Sequence, residues 1–107
     1  KKKEKVKETE IENLKISVRD LTTEDTEARK LDKNLRGVVV TEILSKSPLA
    51  ALLSLGDIIV EVQNKTIQDT KSLEKVSQEI FKNGDKTLLI RFINKRNQPS
   101  YGTVKIK

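Results

Sequence analysis

Alternation sets the first half of the chain. In residues 14–21 (LKISVRDL), Leu14, Ile16 and Val18 share one parity and Lys15, Ser17 and Arg19 the other, the period of a half-buried strand. Thr22 then opens a segment with acids first and Arg29 and Lys30 last, the charge order that complements a helix dipole. A short helix is predicted there, with Ala28 and Leu31 turned inward. After Gly37, Val38 to Leu44 is a β-branched run and a strand. Ser47-Pro48 leads into LAALLSL. Ser can cap and Pro suits a first helical position, so a brief apolar helix is predicted, stopping near Leu55-Gly56. Asp57 to Val62 is a further strand. Gln63-Asn64-Lys65 is a turn in which Asn64 can take the left-handed conformation.

The second half changes period. Asp69 is the predicted N-cap of a helix over 70–82, where Leu73, Val76, Ser77 and Ile80 fall on one face and Phe81 widens the stripe. Asn83-Gly84 stops it. Thr87 to Ile93 is a strand, 94–99 a polar hairpin loop and 102–106 the closing strand. Five strands and two or three helices make a mainly β domain with helices (α+β), a partly open barrel capped by helices. Residues 1–12 (KKKEKVKETEIE) alternate Lys and Glu with one Val and one Ile. They read as a charged linker or leader, leaving 13–107 as the domain. No apolar stretch follows the lysines, as a secretory signal would need.

Composition narrows the chemistry. With 107 residues, 35% hydrophobic and 36% charged, the chain suits one globular domain, and no apolar run approaches the ~20 residues of a spanning helix. It has no His and no Cys. Ser-His-Asp and Cys-His catalysis, imidazole metal sites, disulfides and zinc knuckles are thereby excluded within these residues. Asp57 and Glu61 share a strand face, but they read better as a turn residue and a solvent-facing one than as an acid–base pair. Asp20, Glu24, Asp25 and Glu27 lack EF-hand spacing and read as the acidic start of a helix. No phosphate-binding glycine pattern exists, and no cofactor is expected. The net charge of +6 sits in residues 82–107, with seven basic side chains and one acidic. Such a surface can attract nucleic acid or anionic lipid. The aromatics Phe81, Phe92 and Tyr101 are not clustered in sequence, so a solvated strand pair accounts for the charge and no nucleic acid is expected.

The run GVVVTEILSKSPLAALLSLGDIIVEVQNKTI, followed by a helix and GDKTLLIRF, resembles a bacterial PDZ domain. The matching parts are Gly37 to Leu44, Ser47-Pro48-Leu49-Ala50, Gly56-Asp57 and Ile58 to Lys65. The start LKISVRDLTTE, with a short helix before Gly37, is most similar to the C-terminal, second PDZ module of HtrA/DegP-type serine endoproteases. The resemblance implies a PDZ-like, partly open five- to six-stranded barrel or sandwich. It further implies a protease domain upstream and a periplasmic or envelope setting in protein quality control. Three positions depart from the family pattern. Lys15 replaces a Gly of the carboxylate-binding loop, the stretch between Ser47 and Gly56 is shorter and lacks its internal Gly, and Asn64 replaces a turn Gly.

Peptide recognition by strand addition is what the resemblance implies. The open edge is then Ile16, Ser17 and Val18, and amides near Leu14, Lys15 and Ile16 meet a terminal carboxylate. Lys15 can add a charge-assisted bond, and Leu73, Val76, Ser77 and Ile80 form the facing wall, with Ser77 the small groove-facing residue. The same apolar residues also suit a core. Implied partners are hydrophobic C-termini, unfolded segments, or neighbouring domains and subunits of the parent, with a monomeric isolated domain and no catalysis of its own. The alternatives are the basic module described above and a PDZ domain of another protease or secretion component.

Overall fold

The computed structural model describes residues 8–106 apart from position 33. Seven strands and two helices follow in order: β1 (Glu8–Ile11), β2 (Ile16–Asp20), α1 (Thr23–Ala28), β3 (Val38–Ile43), β4 (Ile58–Val62), β5 (Lys65–Thr66), α2 (Thr70–Asn83), β6 (Thr87–Ile93) and β7 (Pro99–Lys105). They form one antiparallel sheet in the order β1-β2-β3-β4-β6-β7, with β5 beside β4.

The parity reading holds in β2, where Ile16 and Val18 are fully buried while Ser17 and Arg19 are half-buried. It holds again in β6, whose Leu88, Ile90 and Phe92 point into the core. The core joins these to Val38, Val40, Ile59 and Val62 from β3 and β4 and to Leu73, Val76 and Ile80 from α2. Gly37 is required where β3 begins, because a Cβ there would stand 2.6 Å from the backbone oxygen of Ile59.

Helix α2 is capped as its sequence dictates. The Asp69 carboxylate accepts from the Ser72 N–H at 2.8 Å, and that bond holds the Asp69 pKa below its ordinary value. Gly84 closes the helix at φ 78, and the next amide, Asp85 N–H, returns to the Ile80 carbonyl. A reciprocal capping box of Thr22 and Asp25 starts α1. Arg29, just past α1, donates to the carbonyls of Gly56 and Asn94 and to the Asn97 side chain, tying α1 to the β6–β7 hairpin.

Four expectations are corrected. Among the described residues the strands number seven, not five or six, while the two helices fall within the expected two or three. Residues 8–11, read as linker, are strand β1, paired to β2 through Glu8↔Arg19, Thr9↔Val18, Glu10↔Ser17 and Ile11↔Ile16. The stretch 48–53 is a chain of turns, not a helix: Ala50 and Leu52 donate three residues back and Leu53 donates four back, so no run of helical bonds forms. In α1 the buried residue is Thr26, while Ala28 is exposed and Leu31 only half-buried. Residues 1–7 of the expected linker lie outside the described residues.

Candidate functional site

The turn between β1 and β2, residues 12–15, is held from behind. The Leu14 carbonyl accepts from the Ser47 hydroxyl at 2.6 Å, and the Lys15 carbonyl accepts from the Leu44 N–H at 3.0 Å. Ser47 is buried and also receives the Leu49 N–H at 3.0 Å, so the Ser-Pro segment braces the turn. The Leu14 carbonyl lies anti to the Lys15 amide in one peptide plane, so its bond to Ser47 turns that amide the other way. The Leu14 and Lys15 amides converge on one oxygen, the Ile11 carbonyl, at 3.0 and 2.8 Å. Two adjacent N–H groups aimed at one oxygen are the makings of an anion cradle. Lys15 sits at φ 56, the left-handed region that favours glycine, and its side chain is exposed.

Helix α2 forms the opposite wall and contacts both β1 and β2. A polar cleft of about 450 Å³ runs between them, lined by Glu10, Ile11, Glu12 and Asn13 on one side and Glu74, Ser77 and Gln78 on the other. The cradle and cleft therefore share Ile11, which is 1% exposed.

The residues expected to form a groove do come together, though mostly as core. Leu14, Ile16, Val18 and Leu73 are fully buried, and Val76 and Ile80 nearly so. Ser77 is buried too; it lines the cleft while its hydroxyl donates to the Glu74 carbonyl at 2.8 Å. The amides of Leu14 and Lys15 both donate to the Ile11 carbonyl within the turn. The open edge at Ile16, Ser17 and Val18 does not exist in this structure, because β1 is paired along it. Sequence reasoning passed over Glu8, Ile11, Arg19 and Ser47. Ile11 alternates with Glu10 and Glu12, but a single apolar residue among charges carries little signal, and Ser47 was legible only as a cap.

Charge around this edge is organised by Arg19. Its guanidinium grips Asp25 through two bonds of 2.7 and 2.9 Å. Arg19 and two bonds from Thr22 hold the Asp25 pKa at about 2, against the opposing effect of burial. Glu8 stands opposite Arg19 across the β1–β2 ladder, and its carboxylate accepts from the Thr41 hydroxyl at 3.2 Å. Asp20, at the end of β2, accepts the Thr70 N–H and so ties β2 to the start of α2.

Other candidate chemistry resolves into structure. The Asp57 carboxylate accepts the Ser54 N–H, as a turn residue does, and Glu61 lies 3.6 Å from Arg91. A concavity of about 350 Å³ on the β4–β6–β7 face is lined by Glu61, Asn64, Leu89, Arg91 and Tyr101. Lys95 and Arg96 are exposed in the β6–β7 loop. Phe92 is buried, Phe81 packs against the core, and Tyr101 alone of the aromatics is exposed.

A sequence-family model described as "PDZ domain" matches residues 9–99. No curated protein matches the chain in sequence. Among solved structures, the chain is similar to the HtrA3 PDZ domain bound to a phage-derived ligand (FGRWV), with TM-score 0.66 and 20% identity over 94% of this chain and 86% of that one. It is also similar to the HtrA-type protease AlgW with a decapeptide, with TM-score 0.65 and 20% identity over 94% of this chain. The chain spans 29% of the AlgW chain.

Proposed function

The chain belongs to the PDZ domain family, and on that premise we propose that it binds extended or C-terminal hydrophobic peptide segments in the groove between β2 and α2. A PDZ domain is a non-catalytic peptide-binding module. The reading is carried by one observation: the Leu14 and Lys15 amides converge on a single oxygen at the end of a β2 edge walled by α2. A carboxylate in place of that oxygen makes charge-assisted bonds, roughly twice as strong as those to a neutral carbonyl. The ligand's last apolar side chain takes the position where Ile11 now packs with Leu14, Ile16, Leu73, Val76 and Ile80. The peptide ligands present in the two similar structures support the same assignment.

On this reading the chain is a module of an HtrA/DegP-like serine endoprotease of the periplasm or cell envelope, the second of its PDZ domains. There it captures substrate segments or docks on neighbouring domains and subunits during assembly. The test is an NMR titration of the whole chain with short peptides ending in Val, Leu, Ile or Phe, repeated with amidated ends. Shifts at residues 14–19 and 73–80 that vanish on amidation are expected. Absence of shifts at millimolar peptide once residues 8–11 are unpaired from β2 overturns the reading.

A further inference from the structure

The β2 edge that a peptide would use is occupied by the chain itself. β1 runs antiparallel to β2 on the side away from β3 and contacts α2, the direction and position an added strand takes. Its last residue, Ile11, buries its side chain in the common core with Leu14, Ile16, Leu73, Val76 and Ile80. The Ile11 carbonyl is the oxygen that fills the amide cradle. Three residues before it, Glu8 lies opposite Arg19, and the Glu8 charge adds to that of Asp25 in favouring the Arg19 cation. Glu10 is exposed between them, and Thr9 is half-buried.

We infer that Glu8–Ile11 is a built-in, displaceable occupant of the groove, and that it reports the class of segment the groove accepts: extended chain with an aliphatic anchor at the cradle and a carboxylate three residues before it, facing Arg19. The inference rests on the peptide-binding reading above. Three features support displacement. β1 is only four residues long, it contributes one fully buried side chain, and it offers the cradle a neutral carbonyl where a peptide C-terminus offers an anion. An occupant in cis lowers the apparent affinity of any ligand by the fraction of time the groove is open. Opening β1 is a local event, since β2 keeps its ladder to β3.

The test compares three forms of the whole chain, using a short peptide ending in Glu-Thr-Glu-Ile with a free carboxylate as the probe. Thr9→Pro removes an N–H from β1 and blocks its pairing. Glu10→Cys with Ser17→Cys places two thiols directly opposite in the β1–β2 register of a chain that has no other cysteine, so oxidation locks β1 in place and reduction frees it. Thr9→Pro should bind the probe about tenfold or more tighter than the natural chain, and oxidation of the paired-cysteine form should weaken binding by about tenfold or more. On Thr9→Pro, a probe carrying Lys in place of its first Glu should bind about threefold more weakly, and Arg19→Glu should reverse that preference. If the oxidised form binds as tightly as its reduced form, β1 is no occupant and the inference falls while peptide binding stands. If neither Thr9→Pro nor the reduced form binds any probe, the peptide-binding reading falls and takes the inference with it. Should Thr9→Pro fail to fold, the oxidised and reduced pair decides alone.

Discussion

The two edges of this sheet are defended in different ways. At one end β7 is seven residues long, begins at Pro99, which has no N–H to offer, and carries the exposed Tyr101 and Lys105. Proline and lysine on an edge discourage another strand from pairing there. β7 is also bound to β6 along its full length, from Thr87↔Lys105 to Ile93↔Pro99, and Leu52 packs against it at Gly102. At the other end β1 has four residues, two of them Glu, and a single fully buried side chain. Beneath it lies an edge equipped with a pair of converging amides and a helical wall. The inert edge is closed by a long strand paired to β6 at every residue; the equipped edge is covered by a short one. An edge suited to recognition needs a cover, and a short cover keeps the edge recoverable.

The sharpest way to break this contrast is to remove one buried isoleucine from each side. Ile90→Ala, in the middle of β6, should cost about 3 kcal/mol in denaturant unfolding, the usual effect of a core cavity. Ile11→Ala should cost less than the roughly 2 kcal/mol floor for such a change, because opening β1 caps the loss. Its hydrogen exchange should quicken in β1 and its β2 partners and not elsewhere. Equal costs at the two sites would make β1 as structural as β6.

Lys15→Gly should stabilise the domain by about 1 kcal/mol, since the left-handed backbone at Lys15 penalises a Cβ. It should also leave peptide affinity equal or better. A fall in melting temperature would mean that the turn depends on the Lys15 side chain. A smaller effect attends Asp25, whose pKa is lowered to about 2 in the fold. A depressed carboxylate stabilises fully above its ordinary 3.8 and loses that contribution as pH falls toward 2. Asp25→Asn should therefore lower stability at pH 6 and flatten its decline between pH 5 and pH 2 in urea titrations. The effect is modest because water screens the partly exposed pair. Smallest of all, Lys105→Glu at the β7 edge should change stability by less than about 0.5 kcal/mol and leave peptide binding untouched. Salt-sensitive binding of RNA or anionic vesicles, abolished by that reversal, would instead assign the β7 side a role of its own.

Much of the fold was legible because β2, β3, β4, α2 and β6 each carry a local signal: parity in β2, a β-branched run in β3, a 3.6-residue stripe in Leu73 to Ile80, an Asp69 cap and a Gly84 stop. β1 was not, because Glu-Thr-Glu-Ile is mostly polar and becomes a strand through its partner. Its donors and acceptors are met by β2, and its one apolar side chain finds a place only once α2 is present. The stretch 48–53 misled in the opposite sense. Its apolar run suits a helix, and Leu49 and Leu53 are buried at helical spacing, yet the Ser47 hydroxyl takes the Leu49 amide and the bonds that follow mix three and four residues back. The groove was legible in its membership and not in its occupancy. Spacing says which residues share a face, but not which segment lies against them.

The geometry of the β1–β2 hairpin has a mechanical side. Glu8 and Arg19 lie at its open end, and the turn at residues 12–15 closes the other. A pull on the chain at Glu8, directed away from α2, would load the ladder one pair at a time, from Glu8 toward Ile11. Such a joint unzips under tension, whereas strands drawn along their length must shear every bond at once. Tension at that one point would bare the cradle last, after Glu8, Thr9 and Glu10 had already come away, and slackening would let the same four residues reseat in reverse order.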